Sequence, residues 1–434
     1  MNQNIFEEIK KIHFIGIGGI GVSALAQMML LNKKKVIGSD ILVGPALEQI
    51  KKSGAKVFIG HKKSNLARNT DIIIYSPAIK QDNPELIQAK KLNIPVYSYP
   101  EALGLISKNK YTIAVSGTHG KTTTTAMLAE VMISTKKSPT IIIGGFLKEQ
   151  KRNFISGKSK YFIVEACEYK KSFLNLFPDI LIITNIDNDH LDYFKNIKNI
   201  QNAFAKLISK VPQNGFIICN FKEQNTKQAL KLAKIKAKVI DYIKEKRLKL
   251  EIPGKHNIEN AQAVLAVAKL VNVKKEQVEK YLKKYLGVWR RFEYKGRTKK
   301  RALIYDDYAH HPAEVKATLK AIKNKFSDKK IIVVFQPHLY SRTKFLLNDF
   351  AKSFNYADQV IITDIYAARE KKDKSIHAKD LVKAIRTKAV DSVQYISDFK
   401  EIIKYLKKNI NKDDVIMTMG AGDVYKIGEK LIVK

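Results

Sequence analysis

The stretch AVSGTHGKTTTTAM, residues 114 to 127, constrains the fold more than any other segment. A β-branched run, YTIAVS, meets Gly117 and Gly120, and then Lys121 and Thr122 lead into a segment of helical composition. That order predicts a strand, a tight loop, and a helix opening at Thr122. Such a loop turns backbone N–H groups inward, and the helix N-terminus adds partial positive charge, so polyphosphate is its natural occupant. Lys121 then meets the terminal phosphates and Thr122 a Mg²⁺ ion. The loop is shorter than the common phosphate loop, because the position six before Lys121 is Val115 rather than glycine. The competing reading is a glycine turn without a ligand.

A second glycine motif precedes it. KIHFIGIGGIGVSALAQMMLLNKKKVIGSD (11 to 40) reads as strand, glycine turn, apolar helix and second strand. Gly16, Gly18 and Gly21 satisfy G-x-G-x-x-G, and Asp40 stands where a dinucleotide fold places its ribose carboxylate. Glycines that admit a pyrophosphate serve UDP as well as NAD, so the pattern leaves the nucleotide open. GAKVFIGH, TDIIIYSPAI and IPVYSYPEAL continue a small parallel α/β domain, with Ser76 after a strand end, where ligands of open sheets sit. His61 faces the same crevice or belongs to a solvated loop.

Downstream of the Lys-Thr loop, YFIVEACEY carries Glu165 and Glu168, and DILIITNIDNDHLDYF delivers Asp187, Asp189, His190 and Asp192 after a buried strand. Carboxylates and imidazole at neighbouring strand ends are what a Mg²⁺–nucleotide site uses, and Glu165 and His190 are the chosen metal contacts. Residues 221 to 250 read as helix and edge-strand material without a chemical signal. Asn257 and Asn260, three apart in a helix, suit a purine edge, with helix capping as the plain competitor for Asn257. From GVWRRFEYKG onward, strand–helix alternation restarts. Polar groups follow the strands: Asp306, Asp307, Tyr308, His310 and His311, then His338, Tyr340 and Arg342, then Gly420, Gly422 and Asp423.

The net charge of +38 raises nucleic-acid binding as a possibility. Only ten of the 79 basic residues are Arg, and the lysines run along the whole chain, which opposes a clustered phosphate-backbone footprint. Two cysteines, Cys167 and Cys219, cannot build a disulfide framework, and no signal peptide or bilayer-length apolar run is present. A cytoplasmic protein with neither a nucleic-acid partner nor membrane insertion is expected.

IGIGGIGVSALA, SGTHGKTTTTAM, TNIDNDHLDYF, GKHNIENA, RRFEYKG, DDYAHHPAE, FQPHLYSRT and GAGDV, in that order, resemble the Mur ligases across nearly the whole chain. The resemblance implies three α/β domains. Residues 1–108 form a Rossmann-like domain for the UDP-sugar, 109–287 a central P-loop-type ATPase, and 288–434 a Rossmann-like domain that closes over the nucleotide and brings the amino acid. It implies a cytoplasmic, ATP- and Mg²⁺-dependent ligase of peptidoglycan precursor synthesis, a monomer or weak homodimer. The enzyme activates the carboxylate of UDP-N-acetylmuramate as an acyl phosphate and couples it to L-alanine. Carried over by residue, Gly117, Thr118, His119, Gly120, Lys121, Thr122 and Thr123 hold the phosphates, and Thr122, Glu165 and His190 hold the metal. Asn257, Asn260, Arg291, Asp306, Tyr308 and His310 complete the ATP site, and His310 also counts among the catalytic residues with Lys121, His190 and Arg342. Arg342, with His338, meets the alanine carboxylate. Gly18, Gly19, Ser39, Asp40 and Ser76 contact UDP. Leu339, where many relatives carry a second arginine, and Lys170 and Lys171, where many carry acidic residues, depart from the pattern. The rivals are a ligase returning a tripeptide to the same sugar, a nicotinamide-dependent oxidoreductase, and an ATP-dependent nucleic-acid protein.

Overall fold

The computed structural model describes residues 5–433 except 42, 148–151, 369 and 391, and it leaves the side chain of Asp192 outside the described set. Three sheets follow one another along the chain. The first has five strands, β1 (Lys11–Ile15), β2 (Lys35–Asp40), β3 (Lys56–Ile59), β4 (Ile72–Tyr75) and β5 (Val96–Ser98). They are all parallel, in the order β3-β2-β1-β4-β5. The order reverses between β1 and β4, and the turns at Gly16 and Ser76 leave the sheet at that point, where open parallel sheets hold ligands.

The second sheet comprises β6 (Tyr111–Ser116), β7 (Thr140–Leu147), β8 (Arg152–Ile155), β9 (Tyr161–Ala166), β10 (Ile180–Ile183), β11 (Phe216–Cys219) and β12 (Lys238–Asp241). Its order is β12-β11-β10-β6-β9-β7-β8, and only the β7–β8 pair is antiparallel. Central strands of such a sheet are covered on both faces, which explains why β6 and β10 are continuous apolar runs rather than alternating ones. The lysine-rich 221–250 stretch supplies the helix Gln224–Leu232 and the edge strand β12, as its composition suggested.

The third sheet holds β13 (Glu293–Arg297), β14 (Leu303–Asp307), β15 (Ile331–Phe335), β16 (Gln359–Ile362), β17 (Val393–Tyr395) and β18 (Val415–Met419) in the order β13-β14-β18-β15-β16-β17. Only β13 is antiparallel to its neighbour. The chain divides into two compact units: residues 1–249 with 258–285, which contain the first two sheets, and residues 250–257 with 286–434, which contain the third.

Two local expectations shift by a few residues. The helix after the glycine loop begins at Lys121 instead of Thr122, because Gly120 in a left-handed conformation (φ 85°) serves as its N-cap. In IPVYSYPEAL the strand stops at Ser98, since Ser98 and Glu101 form a reciprocal capping box that starts the helix Tyr99–Ser107. Among the described residues no helix is long and apolar enough to cross a membrane.

Phe204 is fully buried and meets Phe173 edge-on at 5.1 Å between ring centroids, joining the helix Ile197–Ile208 to the segment after β9. Phe204→Ala should therefore cost about 3–5 kcal/mol in a urea unfolding series. Phe345→Ala, at a ring 67% exposed, should stay within about 0.5 kcal/mol of the parent.

Candidate active site

Where β6 ends, the loop is held by the strand beside it. Thr118 N–H donates to Asn185 O (3.0 Å), His119 N–H to the Asn185 side chain (2.9 Å), and Thr184 Oγ1 to His119 O (2.6 Å). Asp187 N–H returns to Thr118 Oγ1 at 2.8 Å. Gly117 (φ 132°) sits so close to β10's end that a Cβ there would lie 2.0 Å from Thr184 Oγ1. Gly120 is confined differently: its Cβ would lie 2.8 Å from Asn260 Oδ1. The Asn260 Nδ2 is buried and has no hydrogen-bond partner among the described residues. An unsatisfied donor next to a glycine loop is a group awaiting an acceptor.

Lys121 does not point into empty space. Its ammonium donates to Gly117 O, to Thr118 O (3.0 Å) and to the Glu168 carboxylate (2.9 and 3.0 Å). Burial works to neutralise this lysine, but the adjacent Glu168 charge outweighs it and its pKa lies above the ordinary lysine value. Thr122 Oγ1 donates to Glu165 Oε2 (3.0 Å), and Glu165 Oε1 accepts from Gly144 N (2.7 Å). Thr123 is half-buried in the helix's first turn.

The expected metal set of Thr122, Glu165 and His190 is divided between two groups. Among the described residues, the cluster of metal-type side chains whose ligand atoms lie within 4.8 Å of one another is Glu168, Asp189 and His190; Glu165 is not a member and pairs with Thr122 instead. His190 Nε2 lies 3.8 Å from Glu168 and 3.7 Å from Asp189, while its buried Nδ1 has no hydrogen-bond partner among the described residues. Its ring rests on Tyr169 at 4.7 Å. Glu168 stands with Glu165 in EACEY but takes a different place: β9 ends at Ala166, and the chain then turns so that Glu168 faces Lys121.

At the first sheet, Gly18 N–H donates to Asp40 Oδ2 (2.8 Å), so the acidic residue expected on a ribose braces the glycine turn. Gly16 packs on Ser76, where a Cβ would come within 2.9 Å, and Gly19 is exposed beside them. Ser39 is a correction: its side chain is fully buried, and its hydroxyl is already engaged within the protein by Glu85 (2.8 Å) and His61 (2.9 Å).

In the second unit, the ends of β14, β15 and β18 adjoin. His310 lies 5.3 Å from Tyr308 and 5.5 Å from His338, whose ring stacks on Tyr366. Arg342 NH1 reaches His338 Nδ1 at 3.1 Å. The expected His310, His338 and Arg342 thus come together. Leu339 holds a positive φ of 70°, unusual for a branched side chain, and its N–H bonds Tyr366 O. Asp306 is a second correction: both its oxygens are taken, by Arg290 Nε (2.8 Å) and Thr418 Oγ1 (2.6 Å), in a site where it is 1% exposed. Arg290 also donates to Gly420 O and Gly422 O, so of the two adjacent arginines it is the structural one. Arg291 lies over the Tyr308 ring at 5.1 Å. Asn257 donates to Pro253 O at 2.6 Å in the turn four residues back and does not cap the helix.

A glycine loop running from a central parallel strand into a helix, with carboxylates and imidazole at adjoining strand ends, defines a nucleotide-binding α/β protein. Comparison with known proteins narrows that class, and the chain belongs to the Mur ligase family. Residues 11–111 match the family's catalytic domain, 115–248 its middle domain, and 290–422 its glutamate ligase domain. The chain is 44% identical to a protein of Caldanaerobacter subterraneus subsp. tengcongensis named UDP-N-acetylmuramate–L-alanine ligase, covering 98% of each. A protein of Clostridium acetobutylicum with the same name is likewise 44% identical, again over 98% of both chains. Among solved structures, the UDP-N-acetylmuramate-alanine ligase of Thermotoga maritima superposes with a TM-score of 0.80 at 28% identity, covering 97% of this chain and 98% of that one.

Asp307 gives this region a pH signature. Burial raises its pKa to about 6 from the ordinary 3.8, with Arg291 and the N–H groups of Ala309 and Phe292 only partly opposing. Because the folded state holds this proton more tightly than the unfolded chain, stability should fall as pH rises from about 4 to about 6, by up to about 3 kcal/mol. The change in urea midpoint across that window should be more negative in the parent than in Asp307→Asn, the difference between the two being the share of Asp307.

Proposed function

We propose that the chain joins L-alanine to the carboxylate of UDP-N-acetylmuramate at the cost of ATP, releasing ADP and phosphate. The observation that carries this reading is a phosphate-type loop with Lys121 at its centre, in a chain 44% identical, over 98% of its length, to proteins named for that reaction. In the first step a carboxylate oxygen attacks the γ-phosphorus of ATP and the bond to the bridging oxygen breaks, giving an acyl phosphate and ADP. In the second, the amine of L-alanine attacks the acyl carbon, the C–O bond to phosphate breaks, and the nitrogen loses a proton. Activation is needed because a carboxylate is a poor electrophile in water.

Lys121 supplies positive charge where the transferred phosphoryl group gains negative charge, exchanging loop carbonyls for phosphate oxygens. Gly117, Thr118, His119, Gly120, Thr122 and Thr123 offer backbone and hydroxyl donors, and Asn260 offers its unsatisfied amide. The residues fit Mg²⁺: the orphaned His190 Nδ1, the Glu168 and Asp189 carboxylates beside it, and the Thr122–Glu165 pair are donors of the right hardness, apart from one borderline imidazole. When bound, the ion neutralises phosphate charge. Arg342, with His338 and His310 around it, is assigned to the carboxylate of L-alanine, for which a guanidinium fork is well shaped. Gly18, Gly19, Asp40 and Ser76 are assigned to the UDP moiety, and Arg291 and Tyr308 to ATP. The division at 108/109 and 287/288 goes with these assignments, as do a cytoplasmic location and a monomer or weak homodimer.

The tripeptide-recycling alternative has less support: a murein peptide ligase of Psychrobacter arcticus shares the fold (TM-score 0.73) at only 23% identity. Phosphate release from ATP with UDP-N-acetylmuramate should require L-alanine and be absent with tripeptide alone; the reverse pattern would reject the reading. Lys121→Ala should lower kcat by about 10²–10³-fold or more while UDP-sugar binding persists, because its charge is used in the transition state. Arg342→Ala should raise the KM for L-alanine by about tenfold or more and leave the KM for ATP within about twofold.

A further inference from the structure

Under the carboxyl ends of β1, β2 and β3 lies a polar network that the reaction as described does not use. Its hub is Glu85, which is fully buried in the first turn of the helix Pro84–Lys91. One carboxylate oxygen accepts from His13 Nε2 (2.7 Å) and Ser39 Oγ (2.8 Å). The other accepts from Asn65 Nδ2 (2.8 Å) and Lys62 N (3.2 Å), with His61 Nδ1 at 3.5 Å. Burial opposes the charge on Glu85, yet donors from His13, Asn65 and Ser39 overcome it and hold its pKa below the ordinary glutamate value.

Counting protons then fixes more than the carboxylate. An ionised Glu85 can only accept, so Ser39 spends its one hydroxyl proton on it. Ser39 Oγ lies 2.9 Å from His61 Nδ1 and must accept there, which puts a proton of His61 on Nδ1. In the uncharged tautomer this leaves Nε2 as an acceptor, on a side chain that is still 13% exposed. Ser39 acts through its backbone as well: its carbonyl receives Gly16 N–H (2.8 Å) and Ile17 N–H (3.1 Å), and the next residue, Asp40, receives Gly18 N–H. A single buried carboxylate thereby bears on both the glycine turn and the tautomer of the histidine beside it.

We propose that Glu85 is a positioning residue for the UDP-sugar: through Ser39 it fixes the first glycine turn and holds His61 as the Nδ1–H tautomer, so that His61 Nε2 is presented to an N–H or O–H donor of the ligand. This rests on the reading that the first sheet binds the UDP moiety. Glu85→Gln puts an amide N–H among these donors and breaks the proton count. It should raise the KM for UDP-N-acetylmuramate about tenfold or more, with kcat and the KM values for ATP and L-alanine within about twofold. Long-range ¹⁵N NMR of histidine-labelled protein, with the His61 signal identified by its loss in His61→Gln, should show Nδ1–H in the parent and a tautomer mixture in Glu85→Gln.

If Glu85→Gln does not fold, Ser39→Ala cuts the same link while leaving His13, Asn65 and Lys62 on the carboxylate, and the same two changes are expected. Asn83→Ala serves as the control. It removes the cap that receives Glu85 N–H (2.9 Å) and Leu86 N–H (3.4 Å) and loosens the same helix without touching the network, so the UDP-sugar KM should hold while the melting temperature falls. An unchanged UDP-sugar KM in both Glu85→Gln and Ser39→Ala, or an equal rise in Asn83→Ala, overturns the proposal. Failure of the ligase reading would look different, since the parent itself would release no phosphate with UDP-N-acetylmuramate and L-alanine, while the NMR tautomer would still report on Glu85.

Discussion

The Lys121 ammonium, bonded at once to two carbonyls of its own loop and to the buried Glu168 carboxylate, is the contact on which the first unit's chemistry depends. A lysine this enclosed keeps its charge only because a counter-charge is built in beside it, and a carboxylate as buried as Glu168 has the same need. Each stabilises the other, and the pair bridges β6's loop to the chain leaving β9. Around it, hydrogen bonds from Thr184, Asn185 and Asp187 fasten the loop to β10. Three adjacent strands thus converge on one lysine, and groups that are 47 or more residues apart in the chain meet there.

The same device recurs elsewhere with different residues. At the first sheet the hub is a carboxylate, Glu85, surrounded by donors. At the third it is a guanidinium, Arg290, which draws Asp306 and the Gly420 and Gly422 carbonyls together and so joins β14 to the loop after β18. In each case a buried charge whose partners come from separate strand ends fixes the geometry of loops that parallel sheets leave exposed at their carboxyl edge. Side chains assigned to ligands sit next to these hubs: Asn260 beside Gly120, His61 beside Ser39, and Arg291 beside Arg290.

Much of the site was readable in the chain because it is local. The turn at Gly117 and Gly120, the helix that follows it, the glycine turn at Gly16 and Gly18, and the His310–His338–Arg342 group each follow from a strand end and the few residues after it. The resemblance to the Mur ligases rested on the same short motifs, and full-length identity to relatives bears it out. What the chain alone leaves hidden is non-local. Nothing in the neighbours of Ser39 and Asp306 along the chain reveals that Glu85 and Arg290 hold them. The turn after Ala166 that aims Glu168 at Lys121 is likewise made by tertiary packing.

Sequence alone determined the number of α/β units, the strand that carries each glycine loop, and the kinds of group gathered at the strand ends, because apolar runs, glycines and caps act over a few residues. Only the tertiary structure decided which of two adjacent arginines turns inward, which carboxylate faces Lys121, and which tautomer His61 adopts. Those choices depend on where buried charges find partners, and the partners are supplied by strands that only folding brings side by side.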